Sequence, residues 1–284
     1  MDIRTVSGAV IVPAHDEEAV LARTLDALRP VAASGTVDVI VVCNGCSDAT
    51  ADIARRYAGL TVIEIEAASK VAAMNVGDAA TQRWPRLYLD ADIQIEPEAV
   101  AAVLHELARP DGPLAARPAS VEDVHDATFP VRAYYRARAR IPEVGVRLWG
   151  AGGYAVSQTG HARFERFPDI VNDDSWIHNL FTDDEKAVLD TPPMLVRVPR
   201  TTTALLAVIT RHRRGQLDLG VSLGEQSSQR ARAILRSAKG PRSAVDAFCY
   251  AALTQISRMR SRRADATQWS RDPSTREPSP ASPR

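Results

Sequence analysis

The sequence predicts an α/β fold in which helices cover both faces of a mostly parallel sheet. Over about the first 110 residues, short apolar runs alternate with longer segments whose apolar residues have helical spacing. Each apolar run is followed by a polar or glycine-containing segment. This alternation is typical of β-α-β units, whose strands pair in parallel and whose helices pack on the sheet.

Four strands and four helices are predicted in this first region. The strands are expected at residues 9–12, 37–42, 60–65 and 87–89. The helices are expected at residues 17–28, 48–57, 71–81 and 97–108. Acidic and hydroxyl residues suit the start of the second helix, and a proline suits the first turn of the fourth.

Beyond residue 113 the regular alternation ends. Helices are expected at residues 129–140, 174–181, 203–214 and 245–259, and extended segments at 154–157 and 195–198. From residue 261 onward, Arg, Ser and Pro dominate without periodicity, so a disordered tail is predicted. The predicted divisions are therefore 1–112, 113–220, a helical segment at 221–260 and a tail at 261–284.

Composition and charge restrict the class of protein. A chain of 284 residues with 45% hydrophobic and 25% charged residues is ordinary for a soluble enzyme with a real core. The 35 basic and 35 acidic residues cancel, which argues against a nucleic-acid partner. Three cysteines give no disulfide framework, and no apolar run approaches the ~20 residues that span a bilayer. We therefore expect a cytoplasmic protein, at most peripheral at the inner face of a membrane.

Two carboxylates follow the fourth predicted strand, at Asp90 and Asp92. If the strand geometry persists, side chains at i and i+2 point to the same side. They would then lie at the carboxyl edge of the sheet, where open α/β folds bind ligands. Hard oxygen ligands suit Mg²⁺ or Mn²⁺, which can hold a diphosphate. The alternative is an acidic turn that ends the strand.

Polar segments follow the other three strands as well. Residues 12–18, VPAHDEE, begin the first helix, where acidic groups could simply complement the helix dipole. Residues 41–50, VVCNGCSDAT, contain a tight-turn signal and a helix cap. The C-x-x-C spacing within them also occurs in redox and zinc sites, but it is interpreted as two structural cysteines, because the third cysteine, Cys249, is distant and no Cys/His pair completes a zinc site. Residues 70–77, KVAAMNVG, place a lysine before a helix and an asparagine, Asn75, within it, which suggests a polar contact.

Together with DAD at 90–92, these segments resemble the inverting glycosyltransferases of family 2, which have the GT-A fold, a Rossmann-like sheet. The resemblance extends through about residue 110 in order and spacing and is looser beyond. It implies a hexosyltransferase-like enzyme (EC 2.4) that takes a nucleotide-sugar donor and uses Mg²⁺ or Mn²⁺. Residues 1–112 would then bind the donor, and residues 113–220 would hold the acceptor and the catalytic group.

The same resemblance implies roles for individual residues of the donor half. Those expected to line the donor site are Pro13, Ala14, Glu17, Asn44, Lys70, Asn75 and Asp90. Asn44 would lie against the base, Lys70 would approach the nucleotide sugar, and Asp90 would reach the ribose or the sugar. Asp92 would ligate the metal, with Asp90 as a second candidate ligand.

The catalytic base is expected in the second half. Family members carry an acidic pair on a helix beneath the acceptor site, and the best match is Asp173 with Asp174, about eighty residues after Asp92. Adjacent carboxylates repel and burial raises the pKa of a carboxyl group, so one of a buried pair can act as a general base near neutral pH. We predict Asp174 as the base and Asp173 as second choice; a helix N-cap pair is the alternative. The segment GAGGY at 150–154 precedes the pair where the family lines the acceptor side of the pocket, although a plain loop would have the same composition. Residues 183–185 form a rival acidic cluster.

Basic residues close the predicted helix at 203–214. Arg211 and Arg214 would stabilise a diphosphate leaving group, and His212 would be a third metal ligand. The alternative is that they complement the helix C-terminus. Processive family members carry Gln-x-x-Arg-Trp near this position, and this chain lacks the tryptophan, which argues against a polymer synthase.

Residues 226–263 contain nine Lys or Arg and a single acid, Asp246. With nearby aromatic residues, this segment could rest on an anionic membrane surface. The alternative is a charged helical face followed by a soluble tail.

The combined prediction is a metal-dependent transferase that moves a sugar to a hydroxyl acceptor by single displacement, with inversion. The acceptor is left open among lipids, sugars and small molecules. Two alternatives remain at this stage. A nucleotidyltransferase would normally have a glycine-rich first loop with a basic residue, and a non-catalytic nucleotide-sugar-binding module would lack transfer.

Overall fold

Seven strands form one sheet in a computed structural model that describes residues 2–142, 145–170, 172–218, 232–234 and 236–261. The strands are β1 (Gly8–Ala14), β2 (Val37–Asn44), β3 (Leu60–Ile65), β4 (Arg86–Leu89), β5 (Ala115–Asp123), β6 (Gly153–Val156) and β7 (Lys186–Arg197). Their order across the sheet is β3-β2-β1-β4-β6-β5-β7. The first four pair in parallel, and β6 pairs antiparallel with β4 and β5. The predicted mostly parallel sheet is confirmed.

Helices in the described residues connect and flank these strands. They are α1 (Leu21–Ala33), α2 (Thr50–Arg55), α3 (Lys70–Ala79), α4 (Pro97–Ala108), α5 (Phe129–Arg138), α6 (Gln158–His161), α7 (Asp173–Leu180), α8 (Thr202–Asp218) and α9 (Pro241–Ser261). Most of the predicted tail and residues 219–231 of the predicted second half and helical segment lie outside the described residues.

Two hydrophobic clusters lie on opposite faces of the sheet, because alternate residues of a strand point to opposite sides. In β1, Val10 and Val12 belong to the cluster that includes residues of α1, α2 and α4. Ile11 of the same strand belongs to the cluster that includes residues of α3 and α7. Helices therefore cover both faces, as the sequence predicted.

Prolines explain why β5 and most of β7 were not predicted from the sequence. Strand β5 contains Pro118, and β7, predicted only from residue 195, contains Pro192 and Pro193. Proline lacks a backbone N–H and is tolerated mainly on edge strands, and β7 is at the edge of the sheet. Sequence patterns therefore give a weak strand signal here, although pairing in the sheet makes the segments extended.

The described residues divide into two compact units, of which the first takes those within 1–121 and 145–196 and the second those within 122–144 and 197–284. The second unit contains α5, α8 and α9, whose buried apolar residues include Val131, Leu205 and Leu253. No helix among the described residues is long and apolar enough to span a bilayer.

Candidate functional site

The polar segments that follow the parallel strands lie at one edge of the sheet. Ala14, at the end of β1, is paired with Cys43, and Asn44, at the end of β2, is paired with Ile65. Strand β4 runs parallel to β1 and ends at Leu89. Since parallel strands end at the same edge, the segments that start at Ala14, Asn44 and Ile65 and the D-x-D segment emerge together, where open α/β sheets bind ligands.

The acidic residues after β1 bind the segment after β2 instead of capping their own helix. The Ser47 backbone N–H donates to Asp16 Oδ1 at 2.6 Å, and the Ala49 N–H donates to Glu18 Oε2 at 3.1 Å. Helix α1 begins at Leu21, later than predicted, and has no acid in its first turn. Simple capping of α1 therefore does not describe these residues, which join two segments of the site edge.

The other predicted donor-pocket residues of these segments are largely buried. Pro13 and Ala14 are buried in β1, and the Glu17 N–H donates to Thr50 Oγ1 at 2.7 Å. The Asn44 side chain is 3% exposed, and its Oδ1 accepts no hydrogen bond from any described residue. A buried amide oxygen without a donor is uncommon in a folded protein, and a contact of Asn44 with a nucleotide base stays a prediction.

Lys70 joins two carboxylates from distant parts of the first unit. Ser69 caps α3 by accepting the Ala72 N–H, which places Lys70 at the first position of the helix. Its Nζ lies 2.7 Å from Asp90 Oδ1 and 3.0 Å from Asp173 Oδ1. A cation is not favoured by the positive end of a helix dipole, so these carboxylates hold it there.

The charges at Lys70 shift the pKa values of this group of residues. Burial lowers the pKa of Lys70, but attraction to Asp173 and then Asp90 outweighs it, and the pKa is raised above the usual range. Burial also raises the pKa of Asp90, because desolvation and repulsion from Asp173 exceed the attraction of Lys70. Lys70 is therefore an ammonium ion at neutral pH.

Asp173 is held on both carboxylate oxygens. Its Oδ1 faces Lys70, and its Oδ2 accepts a 2.9 Å hydrogen bond from the Tyr154 hydroxyl. The Asp173 side chain is only 4% exposed. Burial, followed by repulsion from Asp173, raises the pKa of Tyr154 well above its usual value, so this hydroxyl stays protonated and donates.

Asp174 has a different environment from its neighbour. Its Oδ2 accepts the Gly150 N–H at 2.8 Å, and its Oδ1 accepts the Ser175 N–H at 2.6 Å. The residue is half-buried, and each oxygen retains a further lone pair. Backbone donors thus orient the carboxylate while leaving it able to accept another proton donor.

The D-x-D segment forms a turn and does not continue the strand. The Ile93 N–H donates to the Asp90 carbonyl at 3.2 Å, and the Ala91 carbonyl accepts from Thr24 Oγ1 at 2.7 Å. Because the strand does not continue through Asp90 and Asp92, the strand alternation that would point both carboxylates to one side does not apply here. Asp90 remains tied to the glycine segment, since its N–H donates to the Gly152 carbonyl at 2.8 Å.

The polar contact expected of Asn75 is made with the protein backbone. Its Nδ2 donates to the Phe167 carbonyl at 3.0 Å, and its Oδ1 accepts the Phe167 N–H at 2.9 Å. This pair of bonds ties α3 to the segment that leads toward α7. A donor contact from Asn75 stays a prediction.

The remaining predicted polar residues lie elsewhere. Arg211, His212 and Arg214 are in α8, in the second unit, where an Arg214 Nη donates to the Arg260 carbonyl at 3.4 Å. Their roles toward a diphosphate or a metal stay predictions. In the rival acidic cluster, Asp183 pairs with Lys186 at 3.1 Å, which fits a structural role.

The cysteines of the C-x-x-C segment are free thiols. Burial raises the pKa of Cys43 to about 12, and burial also raises the pKa of Cys46. A protonated thiol is a poor nucleophile and metal ligand, which fits a structural role. Cys46 nevertheless lies beside His15 and Asp16, and one ligand atom from each of the three residues is within 4.8 Å of the others.

Tyr154 ends the predicted acceptor-side segment at 150–154, but its hydrogen bond to Asp173 is not predicted from the sequence. In a short apolar run it is typical of a strand residue, and β6 does contain it. Only the approach of α7 to β6 shows that its hydroxyl meets Asp173. No local pattern marks this contact, because the two residues come from separate elements.

The family model of glycosyl transferase family 2 matches residues 9–154, just over half of the chain, which include nearly all of β1, all of β2 to β5 and the start of β6. The chain belongs to glycosyl transferase family 2. The prediction of a glycosyltransferase, made from four short segments, is thereby confirmed for this family 2 protein. Among curated proteins, none shows a significant match to it.

Solved structures similar to this family 2 chain share its fold. A mannosyltransferase of Pyrobaculum calidifontis, PcManGT, in complex with GDP-Man and Mn²⁺, is 20% identical with a TM-score of 0.56, over 90% of this chain and 74% of that one. Residues 1–349 of S. aureus TarS in complex with UDP are 16% identical with a TM-score of 0.52, over 89% and 91%. The same protein in complex with UDP-GlcNAc is 15% identical with a TM-score of 0.51, over 89% and 92%. The GT-A fold predicted from the sequence is confirmed.

Proposed function

We propose that this chain transfers a sugar from a nucleotide-sugar donor to a hydroxyl acceptor by a single displacement with inversion. One observation carries the proposal. Lys70 binds Asp90, the expected donor residue, and Asp173, the neighbour of the expected base, through the same ammonium group. The residues expected at the donor and those expected at the acceptor are therefore adjacent in the first unit.

The donor would bind at the carboxyl edge of the parallel strands. Asn44 would lie against the nucleotide base, and Pro13, Ala14 and Glu17 would line the pocket. Asp90 would reach the ribose or the sugar. The solved structures of similar fold contain GDP-Man in one protein and UDP-GlcNAc in the other, which supports a nucleoside diphosphate sugar as donor class.

The residues present fit a divalent cation bound mainly by the donor. Among the described residues, the one group of three or more His, Cys, Asp or Glu able to converge on an ion is His15, Asp16 and Cys46, so Asp90 and Asp92 do not form a closed protein cage. Mg²⁺ and Mn²⁺ suit an open site of this kind, since one or two carboxylates with phosphate oxygens and water complete their ligands. Asp92 would hold the ion, with Asp90 as the second candidate ligand. When bound, the ion supplies positive charge beside the diphosphate.

Asp174 is proposed as the general base. Its carboxylate is oriented by the Gly150 and Ser175 N–H groups and is half-buried, whereas both oxygens of Asp173 are already bound. Asp174 would accept the proton of the acceptor hydroxyl while that oxygen attacks the anomeric carbon from the face opposite the leaving diphosphate. The bond to the diphosphate oxygen breaks as the new glycosidic bond forms, which inverts the configuration.

Asp173 and Lys70 are proposed to position the donor side. The Asp173 carboxylate, fixed by Tyr154, holds the Lys70 ammonium against Asp90. This arrangement keeps the Lys70 ammonium, balanced by two carboxylates, at the start of α3, close to where a diphosphate would bind. Family membership favours such a transferase over a nucleotidyltransferase or a non-catalytic binding module.

A donor screen tests the proposal. The full chain is incubated with GDP-mannose, UDP-N-acetylglucosamine and further nucleotide sugars, with Mn²⁺, Mg²⁺ or EDTA, and its melting temperature is measured. A donor at 100 times its Kd should stabilise the protein by about 2.7 kcal/mol, and only with metal present. Asp92→Asn should abolish the metal-dependent part. Asp184→Asn, which alters an exposed carboxylate, is the matched control.

The hydrolysis and transfer products are then followed with the donor that binds. A product of inverted anomeric configuration supports single displacement, and a retained configuration contradicts it. If no nucleotide sugar shifts the melting temperature in the presence of metal, the donor-site assignment is wrong.

A further inference from the structure

Helix α9 buries one side within the second unit. Asp246 is 1% exposed and pairs with Arg136 at 2.7 Å and with Arg140 at 3.0 Å. Tyr250 stacks on Tyr134 with ring centroids 5.0 Å apart. The inward positions of α9 are Asp246, Ala247, Leu253 and Ser257. This side of the helix is therefore fixed by ion pairs and by packing.

The opposite side of α9 is apolar and exposed. Val245 is 45% exposed, Phe248 is 72% exposed and Met259 is 47% exposed. The described residues expose six large hydrophobic side chains, so this one helix holds half of them. At 3.6 residues per turn, these three residues and Ala252 fall on one stripe, which we call the exposed face of α9. Gln255 is the polar residue within the stripe.

Basic residues border this face on both sides. By helical geometry, Arg242 and Arg260 lie along one border and Arg258 along the other. The acid in α9 is Asp246, which faces inward and is already paired with two arginines. The exposed face of α9 is therefore apolar at its centre and positively charged at its edges, with no acidic residue of the helix beside it.

We propose that the exposed face of α9 binds the surface of an anionic lipid bilayer, with the helix lying in the plane of the interface. Phe248, Val245 and Met259 would enter the boundary between headgroups and acyl chains, and the flanking arginines would contact anionic headgroups. A second copy of the chain fits less well. Two such faces brought together by a two-fold axis would place arginine borders near one another, and like charges oppose that contact. This inference concerns binding and goes beyond the proposed sugar transfer.

Vesicle sedimentation with the full chain tests the proposal. The probes are vesicles of phosphatidylcholine alone and vesicles of phosphatidylcholine with phosphatidylglycerol. The protein should sediment with the second kind and not with the first, and added NaCl should weaken binding because salt screens the charges. Phe248→Ser should lower the apparent affinity by about tenfold, as expected for loss of a largely buried aromatic side chain.

Matched controls separate the face from general effects. Phe129→Ser removes another exposed phenylalanine of the second unit, 53% exposed, and should leave vesicle binding unchanged. The pair Arg242→Gln and Arg260→Gln should weaken binding, whereas Arg56→Gln in the first unit should not. Donor-dependent melting, measured in the same variants, reports on the donor site separately, so failure of membrane binding and failure of the proposed transfer are distinguishable.

Three results would overturn the inference. The first is equal sedimentation of the wild type and Phe248→Ser with anionic vesicles, and the second is that neither protein sediments with them. The third is a dimer in light scattering that becomes a monomer in Phe248→Ser without any vesicle binding, which would assign the face to a second copy of the chain.

Discussion

The Tyr154 hydroxyl donates a 2.9 Å hydrogen bond to Asp173 Oδ2, and both residues are nearly inaccessible to solvent. This contact fixes one oxygen of the carboxylate and directs the other toward Lys70 at 3.0 Å. It therefore distinguishes the two members of the acidic pair. Asp173 is bound on both oxygens, whereas Asp174 is the one oriented by backbone N–H groups alone.

The two aspartates should fail in different ways when they are changed. Asp174→Asn removes the proton acceptor, so we expect kcat to fall by about 10²–10⁴-fold with donor affinity retained. Asp173→Asn removes a negative charge that holds Lys70, so we expect a higher KM for the donor and a smaller loss of kcat. Steady-state kinetics and donor titration on both variants check this, with Asp184→Asn as control. If Asp174→Asn and Asp173→Asn lost kcat equally and neither changed the KM for the donor, the assignment of Asp174 as base and Asp173 as a positioning residue would be wrong.

Removing the Tyr154 hydroxyl should act through Asp173. Tyr154→Phe leaves Asp173 Oδ2 buried without its donor, which costs about 1–3 kcal/mol of stability. Because Asp173 would hold Lys70 less firmly, the KM for the donor should rise more than kcat falls. Tyr57→Phe is the matched control, since the Tyr57 hydroxyl also bonds a carboxylate, that of Asp26 at 3.2 Å, but near the surface. A Tyr154→Phe variant with wild-type melting and donor KM would show that the bond has no such role.

Gly152 should not tolerate a side chain. Its φ of +75° is strained for other residues, and a Cβ would lie 2.3 Å from Ile93 Cδ1 in the core. We expect Gly152→Ala to lower the free energy of unfolding by about 2–4 kcal/mol, from backbone strain plus overpacking. Gly35→Ala measures the cost of backbone strain alone, because Gly35 has a φ of +68° and no atom lies within 4 Å of an added Cβ. Denaturant unfolding of both variants measures the difference, and equal losses would mean that contact with Ile93 is unimportant.

Acid should remove the contribution of one surface ion pair. Arg163 donates from Nη2 and Nη1 to the two carboxylate oxygens of Glu185, at 2.6 Å and 2.9 Å. These hydrogen bonds, followed by the one from the Thr182 backbone N–H, lower the pKa of Glu185 from 4.5 to about 2. A carboxyl group with a lowered folded-state pKa stabilises the fold above its unfolded pKa, and this stabilisation is lost as the pH falls through the folded value. The melting temperature of Arg163→Gln should therefore lie below that of the wild type at pH 7, and the gap should close between pH 4.5 and about 2. A gap that persists at the acid end of this range would exclude the ion pair as its cause. Arg56→Gln should show no pH-dependent gap.

Several elements could be predicted from the sequence because their signals are local. Helix α4 was predicted at its observed bounds, since Pro97 starts it and apolar residues recur along one face. Strand β3 was also predicted at its observed bounds, residues 60–65. Strand β5 and most of β7 were missed, because Pro118, Pro192 and Pro193 interrupt the pattern and only pairing within the sheet makes these segments extended.

The sequence by itself determined the class of fold, the glycosyltransferase family and the segments that gather at the sheet edge. These follow from hydrophobic periodicity and from short motifs in a fixed order, which are properties of neighbouring residues. Only the tertiary structure decided that Lys70 joins Asp90 to Asp173, that Tyr154 holds Asp173, and that Asp16 and Glu18 bind the segment after β2. Contacts between residues up to about a hundred positions apart depend on how strands and helices pack, and no local pattern in the chain records that packing.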